Sequence, residues 1–455
     1  MRRLAVVLAA LAAPATAHAA SWTGTYRLPA AAAPVRIVVE LTDRRAEVAL
    51  GPGHAGRTTV PAVIGSKRIR FTVAGGVRFD GTKTGATLEG TVTQGRLRGA
   101  FRLRPGTAPT LSALGLYRAK SGSAIALVVP GSGLPTWLVE LPAGNIHGVS
   151  ASLATVGARA GDVSGDGTLS VQSDTVAWTH RGALTLYHRV PLRQREVRLG
   201  PIAATLTMPP GAGPFPAVAM VHGAGPHARE EFQVFAAYCE LLGIAVLADD
   251  KRGVGESRGS YPGEQATPGT IDVLAADAQA EVRWLAAAPE IDRGRIGLLG
   301  DSQAGWIIAL AAARERAVRW AVPLAGPTVS VGTADTWATL AGQGQSPPNG
   351  TAAKRLEEAR TASGGFDPAP FLKRIAIPVH WVFADDDRTV PTRLCVETLE
   401  HLRPGHEFTW TIVGATHTLL ELPSGLNSDI PRSRGFGRGL FGSVGAFLRR
   451  IGVVA

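Results

Sequence analysis

The stretch Ile296-Gly297-Leu298-Leu299-Gly300-Asp301-Ser302-Gln303-Ala304-Gly305-Trp306-Ile307-Ile308-Ala309-Leu310 changes character at its centre. An apolar run of strand length ends at Gly300, and a second apolar run, from Trp306 to Ala313, is long enough for a helix. Between them Gly300-Asp301-Ser302-Gln303-Ala304 is a near match to G-x-S-x-G, with Ala in the last place. Small residues at 300 and 304 permit a tight strand-to-helix turn that holds Ser302 in strained backbone angles with its hydroxyl outward. The bland alternative is a Gly-rich loop without chemistry. The motif alone is a weak signal, so its setting and partners must decide.

The setting extends in both directions. Continuous apolar runs at 217–221, 244–248, 320–324 and 379–383 suit strands buried on both faces of a parallel sheet. Between 271 and 288, Leu274, Ala278, Val282 and Leu285 recur at helical spacing, and 196–199 with 203–208 read as a hairpin around Gly200-Pro201. Strand and helix in alternation from about Arg195 onward predict an α/β fold with a doubly wound, mostly parallel sheet. Ligands of such a sheet sit at the carboxyl ends of its strands.

A serine hydroxyl is a poor nucleophile unless a general base takes its proton and a carboxylate orients that base. His380, His401, His406 and His417 follow Ser302 in the chain. His380 lies inside an apolar run and reads as a core residue. His401 and His406 flank a polar turn. His417 follows the run 408–413 and is placed at a strand's carboxyl end, so it is the candidate base. Phe383-Ala384-Asp385-Asp386-Asp387-Arg388-Thr389-Val390-Pro391 offers three adjacent acids. Spacing favours Asp387, with Asp385 in reserve and Asp386 as a cap for the following helix. An oxyanion needs preorganised N–H donors. These are expected from Gln303, after the serine, and from Ala224 in His222-Gly223-Ala224-Gly225-Pro226; His222 itself reads as a structural hydrogen-bonder.

Upstream, residues 35–41, 45–50, 68–73, 86–92 and 96–103 alternate apolar and polar, with Asp80-Gly81 and Gln94-Gly95 as turn chemistry. A small antiparallel sandwich or barrel is expected for residues 20–107. A second β-rich region is expected at 108–194, with its clearest strands at 125–129, 137–141 and 183–187, before the α/β region at 195–455. The first 19 residues carry Arg2-Arg3, an apolar run and Ala17-His18-Ala19, the pattern of a cleaved export signal with cleavage after Ala19. A secreted or periplasmic location follows as the expectation.

At 455 residues the chain exceeds what one hydrophobic core usually holds. The net charge of +11, about +9 without Arg2 and Arg3, comes from scattered arginines. No basic helix or interleaving of aromatic and basic residues marks a nucleic-acid binder. Past the export segment, no apolar stretch reaches the ~18 residues of a membrane span. Cys239 and Cys395 both fall in helical segments and read as buried free thiols.

Taken together, Val221-His222-Gly223-Ala224-Gly225-Pro226, Asp250-Lys251-Arg252-Gly253-Val254-Gly255-Glu256-Ser257 and the three motifs already described resemble the bacterial secreted α/β-hydrolase esterases. The likeness is to the branch with an N-terminal β-rich region, related to dienelactone-hydrolase-like and prolyl-oligopeptidase-like enzymes. The resemblance covers roughly Arg195 to the C-terminus. It implies nucleophile, acid and base at Ser302, Asp387 and His417, and cleavage of carboxylic esters. Asp301 stands where His is common in that family, and Ala304 where Gly is common. Asp250, Lys251, Arg252 and Glu256 read as structural ion pairs behind the site. The insertion at 327–373 is expected to arch over the strand ends as a lid.

No cofactor or metal is implied, because no cluster has ligand spacing. The expected partner is a small-molecule ester. Thioester or lactone hydrolysis, a small peptidase of the same fold, and a non-catalytic envelope-binding protein with a degenerate hydrolase domain are the alternatives.

Overall fold

The computed structural model describes residues 20–27, 35–42, 44–50, 57–65, 67–73, 77–85, 87–94, 97–105, 113–130, 134–150, 152–172 and 174–455. The expected export segment at residues 1–19 lies outside them. Two compact units result: one holds nearly all of the first eight strands, and the other holds Ala49, Leu50 and Arg57 with the described residues from Ala113 onward.

The first unit is a closed antiparallel barrel of β1–β8 (Ala20–Arg27, Val35–Thr42, Arg45–Leu50, Arg57–Ile64, Arg68–Val73, Val77–Thr84, Thr87–Gln94, Leu97–Pro105). Closure comes from β1, which pairs with both β2 and β8. Alternation along each strand sends Ile37, Val39, Phe71, Phe79, Leu88 and Phe101 inward, all buried. Phe79 sits at the centre, stacked on Phe71 at 4.8 Å and edge-on to Phe101 at 5.3 Å. One expected turn is absent: Asp80-Gly81 lies inside β6, not between strands. Asp80 is held there by Arg68 and Arg70 across the β5–β6 pair. Gly81 makes room for the Phe101 ring, whose tip would lie 2.4 Å from any Cβ at that position. Gly95, of the other expected turn, falls outside the described residues.

The second unit begins with another closed barrel, β9–β16 (Gly115–Ala119, Ala124–Val128, Thr136–Leu141, Ile146–Val149, Thr155–Val156, Gly167–Gln172, Thr175–His180, Ala183–Arg189). Here β10 is buried at every position, because it has two apolar neighbours. Ile125 and Leu127 point into one core cluster with Tyr117 and Trp178. Ala124, Ala126 and Val128 pack in another with Val218, Trp320 and Phe441 of the α/β portion. That explains a continuous apolar run where a half-exposed barrel strand would alternate. Backbone bonds from Ile146 N–H to Arg434 O (2.7 Å) and from Ala160 N–H to Ser433 O (2.8 Å) also tie barrel to α/β portion.

The α/β portion holds β17–β24 (Arg193–Leu199, Ile202–Met208, Phe215–Val221, Ala245–Asp250, Ile291–Asp301, Trp320–Leu324, Val379–Asp386, Phe408–Thr416). They form a single sheet in the order β17-β18-β20-β19-β21-β22-β23-β24. Pairing is antiparallel up to β18–β20 and parallel from there to β24. Its helices are α1 (Gln233–Leu241), α2 (Pro268–Ala287), α3 (Ala304–Arg314), α4 (Val331–Ala341), α5 (Ala352–Thr361), α6 (Ala369–Leu372), α7 (Thr392–Leu402) and α8 (Leu440–Arg450). Their starts follow local chemistry: Thr267, Ser330 and Thr351 cap α2, α4 and α5 by accepting the N–H three residues on.

Strand order reverses at β19, with β20 on one side and β21 on the other. A crevice at the carboxyl ends is therefore expected between the loops after β19 and β21. Among the described residues, no helix is long and apolar enough to cross a membrane. Cys239 and Cys395 are both free and buried.

Candidate active site

Ser302 stands at the end of β21 with φ +54°, in the left-handed region that a non-glycine residue rarely enters. The turn is fixed from both sides, since Ser302 N–H donates to Leu324 O (2.9 Å) and Gly305 N–H donates back to Ser302 O (2.9 Å). A Cβ at Gly300 would lie 2.1 Å from Val221 O and 2.7 Å from the Ala304 methyl. A Cβ at Gly305 would meet the Gly326 backbone at 2.6 Å. Glycine is thus demanded at 300 and 305, while Ala304 fits with its methyl fully buried.

From this turn a hydrogen-bonded chain crosses three strand ends. Ser302 Oγ lies 2.9 Å from His417 Nε2, and His417 Nδ1 lies 3.0 and 2.9 Å from the two carboxylate oxygens of Asp387. With Asp387 ionised, the Nδ1 proton belongs on the Asp387 side, which leaves Nε2 to accept from the serine hydroxyl. The Asp387 side chain is fully buried, and its Oδ1 also accepts the Thr389 and Val390 N–H groups at 2.8 and 2.7 Å. Burial alone would lower the His417 pKa. The Asp387 charge and hydrogen bond, with Asp301 adding its charge, instead hold it above the usual value of 6.5.

The neighbouring acids do other things. Asp385 accepts the Ala415 N–H at 2.9 Å and ties the ends of β23 and β24 together. Asp386 was expected to cap the next helix, but it pairs with Arg388 at 2.9 Å while α7 starts without a side-chain cap. Of the other histidines, His380 is buried against Thr409 Oγ1 (2.9 Å) and His406 bonds Ile375 O (2.7 Å). His222 bonds Asp249 O at 2.7 Å beneath the site.

The loop after β19 rests directly on the serine turn. A Cβ at Gly223 would be 3.2 Å from Asp301 O and 3.3 Å from the Ser302 Cβ. Around Ala224 the other polar groups are engaged: Gly223 O and Gly225 O accept from Lys251, Ala224 O bonds His227, and Gly225 N–H donates to Tyr261 Oη. The Ala224 and Gln303 N–H groups have no partner among the described residues. Ala224, Ser302 and Gln303 line one cavity of about 620 Å³. Val331, Ala334, Asp335 and Ala338 of α4 form part of its wall, and Trp337 Nε1 donates to Asp387 O at 2.9 Å. A second cavity of about 490 Å³ lies behind the same strand ends, lined by Asp385, Asp386, Arg159 and Arg434 but not by Ser302.

The Asp250–Ser257 motif serves two purposes. Asp250 accepts from Arg229 Nε and Nη2 at 2.9 and 2.8 Å, and Arg252 makes a bidentate pair with Asp277. Glu256 reaches Arg229 at 3.4 Å. Lys251 departs from the expected ion pairing: its Nζ contacts carbonyl oxygens and Gln303 Oε1 instead of a carboxylate. Arg229 was not read from the sequence at all. Nothing in its local context marks it, because its partners are supplied by β17, β18 and β20.

Residues 212–357, about a third of the chain, match the family model described as serine aminopeptidase, S33. The match includes Ala224, Ser302 and Gln303 and stops before Asp387 and His417. No curated protein matches the sequence. Among solved structures, an esterase of Pyrococcus furiosus is similar at 17% identity and TM-score 0.41, over 57% of this chain and 91% of that one. A 2,6-dihydroxy-pseudo-oxynicotine hydrolase is similar at 21% identity and TM-score 0.36, over 50% of this chain and 62% of that one. Est1E of Butyrivibrio proteoclasticus, solved with ferulic acid bound, shows 18% identity and TM-score 0.38 over 56% and 98%. The matched segment, the sheet order and the strand–serine–helix turn together make the C-terminal part of this chain an α/β-hydrolase fold.

Proposed function

We propose that this protein is an exported serine esterase that works through an acyl-enzyme. The observation that carries the reading is the chain Ser302–His417–Asp387, closed at 2.9–3.0 Å and opening on a cavity at the switch point of the sheet. Ser302 Oγ attacks the ester carbonyl while its proton passes to His417 Nε2. The Ala224 and Gln303 N–H groups receive the oxyanion, and the C–O bond to the alcohol breaks as His417 returns the proton to the leaving oxygen. Water, deprotonated by His417, then attacks the acyl carbonyl and releases the acid and Ser302. Residues 1–19 direct export and are removed after Ala19.

A second reading is an aminopeptidase. The description of the matched family favours it, and so do Glu264 and Asp335, the charged groups lining the Ser302 cavity, both of which suit a free amino group. One experiment separates the two: the mature protein is treated with a fluorophosphonate probe, then with p-nitrophenyl esters and aminoacyl p-nitroanilides. The esterase reading requires labelling that Ser302→Ala abolishes, together with ester turnover. Labelling with anilide but not ester turnover moves the assignment to the aminopeptidase. No labelling of the intact protein refutes both.

A further inference from the structure

Lys251 is a buried cation, 3% exposed. Its ammonium lies 2.6 Å from Gly223 O, 3.2 Å from Gly225 O and 3.3 Å from Gln303 Oε1. Burying an ammonium is costly, so three polar contacts on neutral acceptors need a reason. The reason lies in which peptide is held. The Gly223 carbonyl and the Ala224 N–H belong to one peptide unit, and that unit is trans. In a trans peptide the C=O and N–H point in opposite directions. A cation gripping the carbonyl from behind therefore turns the Ala224 N–H toward the Ser302 side and increases the polarity of that N–H. The same ammonium reaches the side chain of Gln303, whose Nε2 donates to Glu264 O at 2.9 Å. The peptide that carries the Ala224 N–H and the side chain of Gln303 are thus held by a single charge.

We propose that Lys251 is a positioning residue for the oxyanion hole: it fixes and polarises the Gly223–Ala224 peptide and ties it to Gln303 before substrate arrives. The inference rests on the acyl-transfer reading above. Preorganised donors of this kind stabilise charge only as it develops, so Lys251 acts on kcat more than on KM.

The charge of Lys251 has a pH limit. Burial lowers its pKa to about 8, against the raising influence of Asp249, Asp301, Glu231 and Glu264, and the Tyr261 ring lies 5.6 Å from its Nζ. A lysine is charged below its pKa, so the polarising effect is complete well below pH 8, is half lost near the pKa of about 8 and disappears above it.

The test uses the mature protein and its Lys251→Met and Lys251→Arg variants. For each, kcat and KM on p-nitrophenyl acetate are measured from pH 6 to 10, with inhibition by a trifluoromethyl ketone and the melting temperature. Lys251→Met is expected to lose about tenfold to a hundredfold in kcat, less than the loss of a whole oxyanion donor, with little change in KM. The ketone, which forms a tetrahedral adduct on Ser302, should weaken by a matching factor. Wild-type kcat should fall as pH rises through about 8, and Lys251→Arg should keep its charge and lack that fall. A folded Lys251→Met with unchanged kcat overturns the proposal, as does a loss confined to KM or to melting temperature. If Lys251→Met does not fold, the alkaline limb decides: a flat wild-type profile through pH 8, or the same limb in Lys251→Arg, overturns it. A wild type that neither labels nor turns over ester overturns the esterase reading, and this proposal with it.

Discussion

Asp387→Asn isolates the role of the buried acid with almost no change of shape. In the native site Oδ1 accepts the Thr389 and Val390 N–H groups at 2.8 and 2.7 Å, and both oxygens face His417 Nδ1. An asparagine can keep its oxygen on the two backbone amides, or flip and present its NH2 to them. The flipped form leaves two buried N–H donors without an acceptor, at about 1–3 kcal/mol each. A total of about 2–6 kcal/mol keeps the flipped form below roughly one molecule in twenty-five, since 1.4 kcal/mol is tenfold. The NH2 then takes the place of Oδ2, 2.9 Å from His417 Nδ1, and favours the tautomer in which Nδ1 accepts and the imidazole proton sits on Nε2, against the Ser302 hydroxyl, over the one that keeps an Nδ1–H on Oδ1 at 3.0 Å. In that tautomer no base remains for the serine. The corresponding change in a Ser-His-Asp protease costs about 10⁴ in kcat, and a loss of that order is expected here. The readouts are the burst rate with p-nitrophenyl acetate and the rate of fluorophosphonate labelling. The pH profile adds a second check: the native acid limb should lie above pH 6.5, because the Asp387 charge holds the His417 proton. In Asp387→Asn that limb should move down, since burial is then less opposed. Asp385→Asn touches only the tie to Ala415 and should stay within a few-fold of wild type. Comparable losses in the two variants, or an Asp387→Asn enzyme within tenfold of wild type, would falsify the assignment of Asp387.

Other consequences follow from packing and charge. Arg229→Ala leaves the Asp250 carboxylate buried without its cation, the side chains being 6% and 4% exposed in the native pair. Unfolding in guanidinium should show a loss of about 3–5 kcal/mol; a loss under ~1 kcal/mol, as for an exposed pair, would contradict a dry ion pair. Ala338→Phe projects from α4 into the Ser302 cavity and should raise KM for long-chain p-nitrophenyl esters far more than for the acetate. Equal effects on both esters would mean that the acyl chain does not occupy that wall. Glu281 is raised well above the usual carboxyl value by burial, then by Asp249 and Asp277. A carboxyl raised on folding favours the native state fully only below its unfolded pKa and loses that contribution as pH climbs through its folded value. Glu281→Gln should therefore melt higher than wild type at pH 8, with the gap shrinking toward pH 4.5. A gap that is constant with pH would exclude titration as its cause.

The features readable without any three-dimensional information are local ones. The switch from apolar strand to apolar helix around Gly300–Gly305 and the run of buried strands after Arg195 depend on residues within one turn or one strand of each other. Chain spacing fixes such geometry, so period and composition suffice to read it. His417 was legible for the same reason, because it immediately follows the end of a strand.

Everything that depends on which distant backbone lies alongside came from the folded arrangement instead. Among Asp385, Asp386 and Asp387, a register shift in the β23–β24 pairing between Ala384 and Asp386 sends Asp385 to Ala415 and leaves Asp387 facing His417. Asp80-Gly81 has the composition of a turn, yet Arg68, Arg70 and the Phe101 ring across the barrel hold it in a strand. Lys251 directly follows Asp249 and Asp250 in sequence, and only the placement of β20 beside β19 brings its ammonium under the Gly223 carbonyl. A charged side chain takes its partner from the sheet order, across tens of residues, and no local pattern carries that information.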